Sequence, residues 1–359
     1  MTGVQTCALP IYQIIYFRGF GSPHAVWLTG RVLRQNELVS PVDRAPFWEN
    51  LSATVNRFLT DEVGGITVRI ETFGQVFRTV TNEEGYFDIT VDLAIDLPVG
   101  RAWFPVRYVL EGVEQPDGYA GPSGSREVSK DGQLLIAPAY SQFGVISDID
   151  DTVLVTGATS IWQTLKLTFL ENAFTRMPFA GVSAFYRALQ AGAVTTLFNP
   201  IYFVSSSPWN IYDLLIDFFR IQGIPKGPLL LRTIALDADL ISAKSHHIHK
   251  RAMIDKILSV NPDLPFVLLG DSGQQDPEIY AAVIEANIGR IKSVYIRDVS
   301  TEDRRDATVQ LLIKTAATHN VPMLLVADTV AAAEHAASLG LIDPDTLPEI
   351  RADRQADNQ

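Results

Sequence analysis

In GVISDIDDTVL, residues 144–154, a short apolar run ends in three carboxylates within four positions, followed by Thr152. A brief run of apolar residues is the pattern of a strand buried on both faces, as in a parallel sheet. Like charges this close repel one another unless a cation sits among them. Asp148 and Asp150, two residues apart just past the end of such a strand, can face the same sheet edge and share a divalent ion. An aspartate-rich turn also caps helices, and the motif alone leaves that reading open.

From Phe143 onward the chain alternates buried-strand runs with helical patterns. The runs are FGVISDI, NPIYFVSS, LPFVLLGD, IKSVYIRD and VPMLLVAD; helical stretches such as SHHIHKRAMIDKILSVN and DPEIYAAVIEANIG fall between them. This order predicts a parallel sheet with right-handed crossovers and helices on both faces. At or next to the ends of these runs stand Asp148, Ser205, Asp271, Asp298 and Asp328. Ligands of open α/β sheets bind at the carboxyl ends of strands, so these side chains are expected along one edge.

The front of the chain reads differently. GITVRIETF, QVFRTVT and YFDITVDL alternate in period two, RAWFPVRYVL and GQLLIAP add two candidate strands, and Gly/Asn/Asp turns lie between. The expectation is a small all-β sandwich over residues 12–140, an α/β catalytic domain over 141–345 and a flexible tail over 346–359. Residues 1–11 read as translated sequencing-adapter oligonucleotide and are set aside, so the native start is expected to be missing. The single cysteine, Cys7, falls in that segment, which leaves no disulfide scaffold or thiol nucleophile in the remainder. A net charge of −12 without a Lys/Arg-rich run argues against nucleic-acid binding, which depends on neutralising phosphates. No apolar run approaches the ~20 residues that span a bilayer.

Three further motifs join the first. In FVSSSPWN, Ser205 and its neighbour Ser206 precede Pro208 at a helix start, where hydroxyls and backbone N–H groups can hold an anion or simply cap the helix. SAKSHHIHKRAMIDK offers Lys244 and Lys250 as point charges for phosphoryl oxygens. His246, His247 and His249 there lack the cysteine or carboxylate partners usual for zinc. In LLGDSGQQDPE, Asp271 can complete a metal shell, and Asp276 can cap the next helix or brace a metal-bound water. Oxygen donors without sulfur suit Mg²⁺.

The order DxDxT, serine, lysine and GDxxxxD on successive strand ends resembles the haloacid-dehalogenase superfamily of phosphotransferases, with its HAD-like Rossmannoid sheet. GVISDIDDTV, NPIYFVSSSPWNIYDLL, HKRAMIDKIL and FVLLGDSGQQDPEIY resemble, more narrowly, the catalytic domain of the actin-patch phosphatidate phosphatase family, in its bacterial form. The resemblance implies that Asp148 is nucleophile and Mg²⁺ ligand, and that Asp150 is general acid/base with its backbone carbonyl on the metal. It implies that Asp271 completes the metal site, supported by Asp276 and Thr152, and that Ser205, Ser206 and Lys250 hold the phosphoryl group. Lys250 fits better than Lys244 because the family's lysine follows a histidine and precedes an apolar helical run.

The implied reaction is hydrolysis of phosphatidate to diacylglycerol and phosphate through an aspartyl-phosphate, in a cytoplasmic protein touching the membrane peripherally. The apolar, mildly basic stretch TGATSIWQTLKLTFLENAFTRMPFAGVSAFY could admit a lipid phosphate or could be a helix packed on the sheet. Arg297, at a strand end, could meet a second anionic group of the substrate or pair with a neighbouring acid. Hydrolysis of a soluble phosphomonoester or phosphoprotein, and a non-catalytic binding scaffold, stand as alternatives.

Overall fold

A computed structural model describes residues 11–35, 61–93, 100–114, 127–149, 181–194, 198–233, 243–273, 275–299 and 303–357. The chain divides into two compact units, Met1–Ile136 and Ala137–Gln359.

The first unit is all β. Its strands are β1 (Ile11–Gly21), β2 (Ala25–Gln35), β3 (Asp61–Glu62), β4 (Thr67–Thr72), β5 (Gln75–Val80), β6 (Tyr86–Asp92), β7 (Trp103–Glu114) and β8 (Glu127–Ile136). The expected pair of stacked sheets is replaced by one sheet in the order β3-β2-β1-β8-β7-β4-β5, with β6 pairing the outer edge of β2. Because β5 and β6 are joined by a tight turn and touch through Thr79 Oγ1 donating to the Asp88 carbonyl (3.3 Å), the sheet curls into a near-barrel. Inward-facing Val26, Leu28, Val68, Ile70, Phe87, Tyr108 and Leu134 fill it. Period-two alternation supplies one buried face per strand and is satisfied equally by a sandwich or a closed sheet. Ile11, set aside with residues 1–10, is instead the first residue of β1, paired with Gln35 and buried.

The second unit contains β9 (Gly144–Asp148), α1 (Val182–Ala191), β10 (Ile201–Pro208), α2 (Tyr212–Ile221), β11 (Leu229–Arg232), α3 (Ala243–Val260), β12 (Phe266–Asp271), α4 (Asp276–Ala286), β13 (Ile291–Arg297), α5 (Asp303–Thr318), β14 (Met323–Val326), α6 (Thr329–Ser338) and α7 (Leu347–Asp357). All pairings in its sheet are parallel, in the order β11-β10-β9-β12-β13-β14. Counted within the unit this is 3-2-1-4-5-6, the doubly wound order whose switch point lies between the first and fourth strands. Here those are β9 and β12, the strands that carry Asp148 and Asp271.

Both sheet faces are covered, which is why the strands read as unbroken apolar runs. Adjacent residues of β10 show it: Phe203 packs edge-on against Tyr186 of α1 and Phe219 of α2, while Tyr202 reaches Asn261 beyond the end of α3. The segment 346–359, expected as a flexible tail, forms α7 over most of its length. Ile350 is fully buried, Asp353 accepts the Ala184 N–H at the start of α1 (2.9 Å), and Arg354 pairs with Asp328 (2.8 Å). No described helix is long and apolar enough to cross a membrane.

Candidate active site

Asp148 is the last residue of β9 and Asp271 the last of β12, so the topology alone brings them to one edge. Asp276 opens α4 and folds back beneath them. Ligand oxygens of Asp148, Asp271 and Asp276 all lie within 4.8 Å of one another, and all three residues are buried. Lys250, reaching in from α3 with 4% of its side chain exposed, stands 2.8 Å from Asp148 Oδ1 and 3.0 Å from Asp276 Oδ1. One ammonium cannot neutralise three buried carboxylates, and buried charge without a partner is costly. The oxygen-only donor set and its excess negative charge therefore fit a hard divalent cation.

Backbone groups fix the carboxylates. The Asp271 N–H donates to Asp276 Oδ2 (3.2 Å), and the Gly273 N–H donates to Asp271 Oδ1 (2.7 Å). Asp276 is thus bound at both oxygens inside the carboxylate group, a closer role than helix cap; the N-cap of α4 is Gln275. Gly270 permits this. A Cβ there would lie 2.6 Å from Asp276 Oδ2 and 2.9 Å from the Tyr280 ring, so any side chain would push Asp276 out of place. Gly270→Ala is expected to destabilise the unit by about 1–3 kcal/mol, read as a lowered urea midpoint, because the crowded atoms are not a flexible chain end.

Two buried tyrosines brace the same strand ends. Tyr280 donates to the Leu269 carbonyl (2.7 Å) on β12, and the Tyr186 hydroxyl meets Ser147 Oγ (2.6 Å) on β9. Burial pushes the Tyr186 phenol up to about 12, with the Asp148 charge adding in the same direction. Burial, followed by the charges of Asp276, Asp148 and Asp271, raises Tyr280 well above the ordinary tyrosine value. Both remain neutral phenols.

Other residues singled out by sequence fall as follows. Val204 is the sheet partner of Asp148, so Ser205 and Ser206 come directly after it, where the β10–β11 register shifts. Both serines are buried, and Ser205 Oγ accepts the Ser207 N–H (3.0 Å). Arg297 is the sheet partner of Asp271 and lines a cleft with Asp148, Asp271, Phe185, Tyr186 and Tyr295. Of the other strand-end aspartates, Asp328 lines the same cleft, where it caps α6 through the Ala331 N–H (2.9 Å) and pairs with Arg354, and Asp298 accepts from Ser272 Oγ (3.4 Å). Asp150 and Thr152 lie outside the described residues, as do 150–180 generally and the Lys244 side chain. No histidine joins the carboxylates among the described residues. Sequence reading missed Ser147, Tyr186, Tyr280 and Gly270; only Gly270, a glycine at the end of an apolar strand, carried a local signal of close approach.

Fold and site together define a doubly wound α/β domain with a buried carboxylate cluster at its switch point that could hold a metal ion. Residues 143–298 match the family described as phosphatidate phosphatase APP1, catalytic domain, and this segment belongs to that family. An uncharacterized protein of Schizosaccharomyces pombe is 27% identical over 271 residues, covering 71% of this chain and 41% of that protein. Phosphatidate phosphatase APP1 of Saccharomyces cerevisiae is 24% identical over 238 residues, covering 66% of this chain and 34% of that protein, a distant homology. The chain thus spans less than half the length of either curated relative. A carbohydrate acetylesterase from Xanthomonas citri, 10% identical and covering 89% of this chain and 69% of that one, superposes at a TM-score of only 0.32, too low to mark a common fold.

Proposed function

We propose that this chain is a magnesium-dependent phosphatase of haloacid-dehalogenase type whose substrate is phosphatidate. The observation that carries the reading is the buried trio Asp148, Asp271 and Asp276 around Lys250 at the switch point. The family of residues 143–298 supports phosphatase chemistry, and the substrate follows from that family.

Asp148 would attack phosphorus, forming a carboxyl–phosphorus bond as the bond to the glycerol oxygen breaks. Asp150 would give its proton to the departing alkoxide. It would then take one from the water that cleaves the aspartyl-phosphate, releasing inorganic phosphate and regenerating Asp148. Lys250, within hydrogen-bond reach of Asp148, would meet the phosphoryl oxygens as they arrive, together with Ser205 and Ser206 on the strand beside β9. Asp148 and Asp271 would hold Mg²⁺ together with the Asp150 carbonyl, with Asp276 and Thr152 in support; when bound, the ion supplies positive charge that offsets the crowded carboxylates and the phosphoryl oxygens. Arg297, beside Asp271 in the cleft, would orient a second polar part of the substrate.

The test is phosphate release by the purified full chain from phosphatidate in detergent mixed micelles, set against a panel of soluble phosphomonoesters. The expected result is activity with Mg²⁺, its loss in EDTA, and a kcat/KM for phosphatidate at least about tenfold above the panel, a gap of ~1.4 kcal/mol in transition-state binding. Equal turnover of soluble esters would defeat the lipid assignment and leave the phosphatase. Undiminished turnover in EDTA would defeat the metal.

A further inference from the structure

The proposed chemistry needs Asp148 aimed at phosphorus, and its carboxylate contacts explain only half of how it is held. The other half is backbone. The peptide joining Asp148 to Ile149 is the last one before the chain leaves β9. Its N–H donates to the Val204 carbonyl of β10 (3.2 Å), and its C=O accepts from Ser147 Oγ (3.1 Å). A serine hydroxyl has one hydrogen. Since Ser147 gives it to Asp148, the 2.6 Å contact with Tyr186 is completed by the Tyr186 O–H donating to Ser147 Oγ. The result is a relay of two donors, phenol to serine to carbonyl, and successive hydrogen bonds of this kind strengthen one another.

The relay is enclosed. Ser147 and Tyr186 are buried, and the Tyr186 ring stands edge-on to Phe203 at 5.6 Å, which fixes its direction. Its phenol stays protonated through the range in which phosphatases work, so its role as donor is constant. Nothing in the proposed reaction consumes either hydroxyl, and both belong to the wall of the cleft that Asp148 enters.

We propose that Tyr186 is a positioning residue for Asp148: through Ser147 it locks the peptide plane that follows the nucleophile, and so sets the direction of the carboxylate. The proposal rests on the phosphatase reading, whatever the physiological substrate.

Tyr186→Phe, Ser147→Ala and the double variant, made in the full chain, separate positioning from mere support. Displacements well under 1 Å at a reacting group are enough to cost about tenfold in rate. In Tyr186→Phe, kcat for p-nitrophenyl phosphate is therefore expected to fall about tenfold with KM within about twofold. Binding of beryllium fluoride, a phosphoryl mimic for aspartate, should weaken by a similar factor in calorimetry with Mg²⁺. Because both hydroxyls act along one path, the double variant should be no slower than the worse single one. The melting temperature should drop by only a few degrees, about what one buried hydrogen bond supplies. If kcat and mimic binding in Tyr186→Phe match wild type, or if the two single losses multiply in the double variant, the inference is overturned while the phosphatase stands. A wild type that neither hydrolyses any phosphomonoester nor binds the mimic sinks both.

Discussion

Replacing Asp148 by Asn is expected to lower kcat for phosphate release by at least about a thousandfold, with the folded unit left intact. The amide is nearly the same shape as the carboxylate but cannot attack phosphorus or bind a hard cation as an anion. Its effect on stability follows from the contacts. At an effective dielectric of about 20, Asp148 gains roughly 6 kcal/mol from Lys250 at 2.8 Å, and loses at least about 3 to each of Asp271 and Asp276 within 4.8 Å. The two sides nearly cancel, and Lys250 keeps Asp276 at 3.0 Å after the change. The melting temperature without Mg²⁺ should therefore move by only a few degrees. The more telling readout is linkage: wild type should melt at rising temperature as Mg²⁺ is added, because an ion held only by the folded chain stabilises it, whereas Asp148→Asn should respond much less. A variant that loses activity because it unfolds, or one that retains more than a few per cent of wild-type turnover, would remove Asp148 from the centre of the mechanism.

What the sequence disclosed about this site depended on how local the cause was. β9 and β12 were legible because a strand buried on both faces must be largely apolar along its length, and its first charged residue then marks the sheet edge. The switch point was not legible, because alternation of strands and helices implies parallel strands and right-handed crossovers but is compatible with more than one strand order. Asp276 was harder. Its place inside the carboxylate group is set by Lys250, which lies 26 residues earlier, and by the absence of a side chain on Gly270. The Tyr186 relay is less local still, since the contact spans 39 residues and Tyr186 reads as an ordinary core position of an amphipathic helix.

The same distinction explains the misread elements. IYQIIYFRGFG lacks clean alternation: every third residue is buried from Ile11 to Phe17, and a bulge between Phe17 and Phe20 breaks the register again. LPEIRADRQAD reads as a solvated tail because it has a single fully buried apolar anchor, Ile350. Its other attachments are charged groups meeting partners far away in sequence, as in Arg187 with Glu349 and Asp353 with the Ala184 N–H. The near-barrel curl, finally, depends on which outer strands meet, and alternation along each strand is blind to that.

Lys250→Met tests the electrostatic centre of the site from the other side. The methionine fills much of the same volume but removes the ammonium that contacts both Asp148 and Asp276, leaving three carboxylates crowded in a buried place. Removing one partner of a buried ion pair costs about 3–5 kcal/mol, more than a hydrophobic contact at the lysine stem can return. For a unit of this size that corresponds to a melting temperature lower by about 6–20 °C. Two further results separate charge from packing. Mg²⁺ at millimolar concentration should recover most of the lost stability, since the ion brings positive charge to the same oxygens. It should not recover turnover, which is expected to stay at least about a hundredfold down, because no cation would remain at the Lys250 position to meet the phosphoryl group. A Lys250→Met chain that melts like wild type without Mg²⁺ would mean that the carboxylates do not need the lysine. Full recovery of turnover by Mg²⁺ would mean that the lysine balances charge and takes no part in holding phosphate.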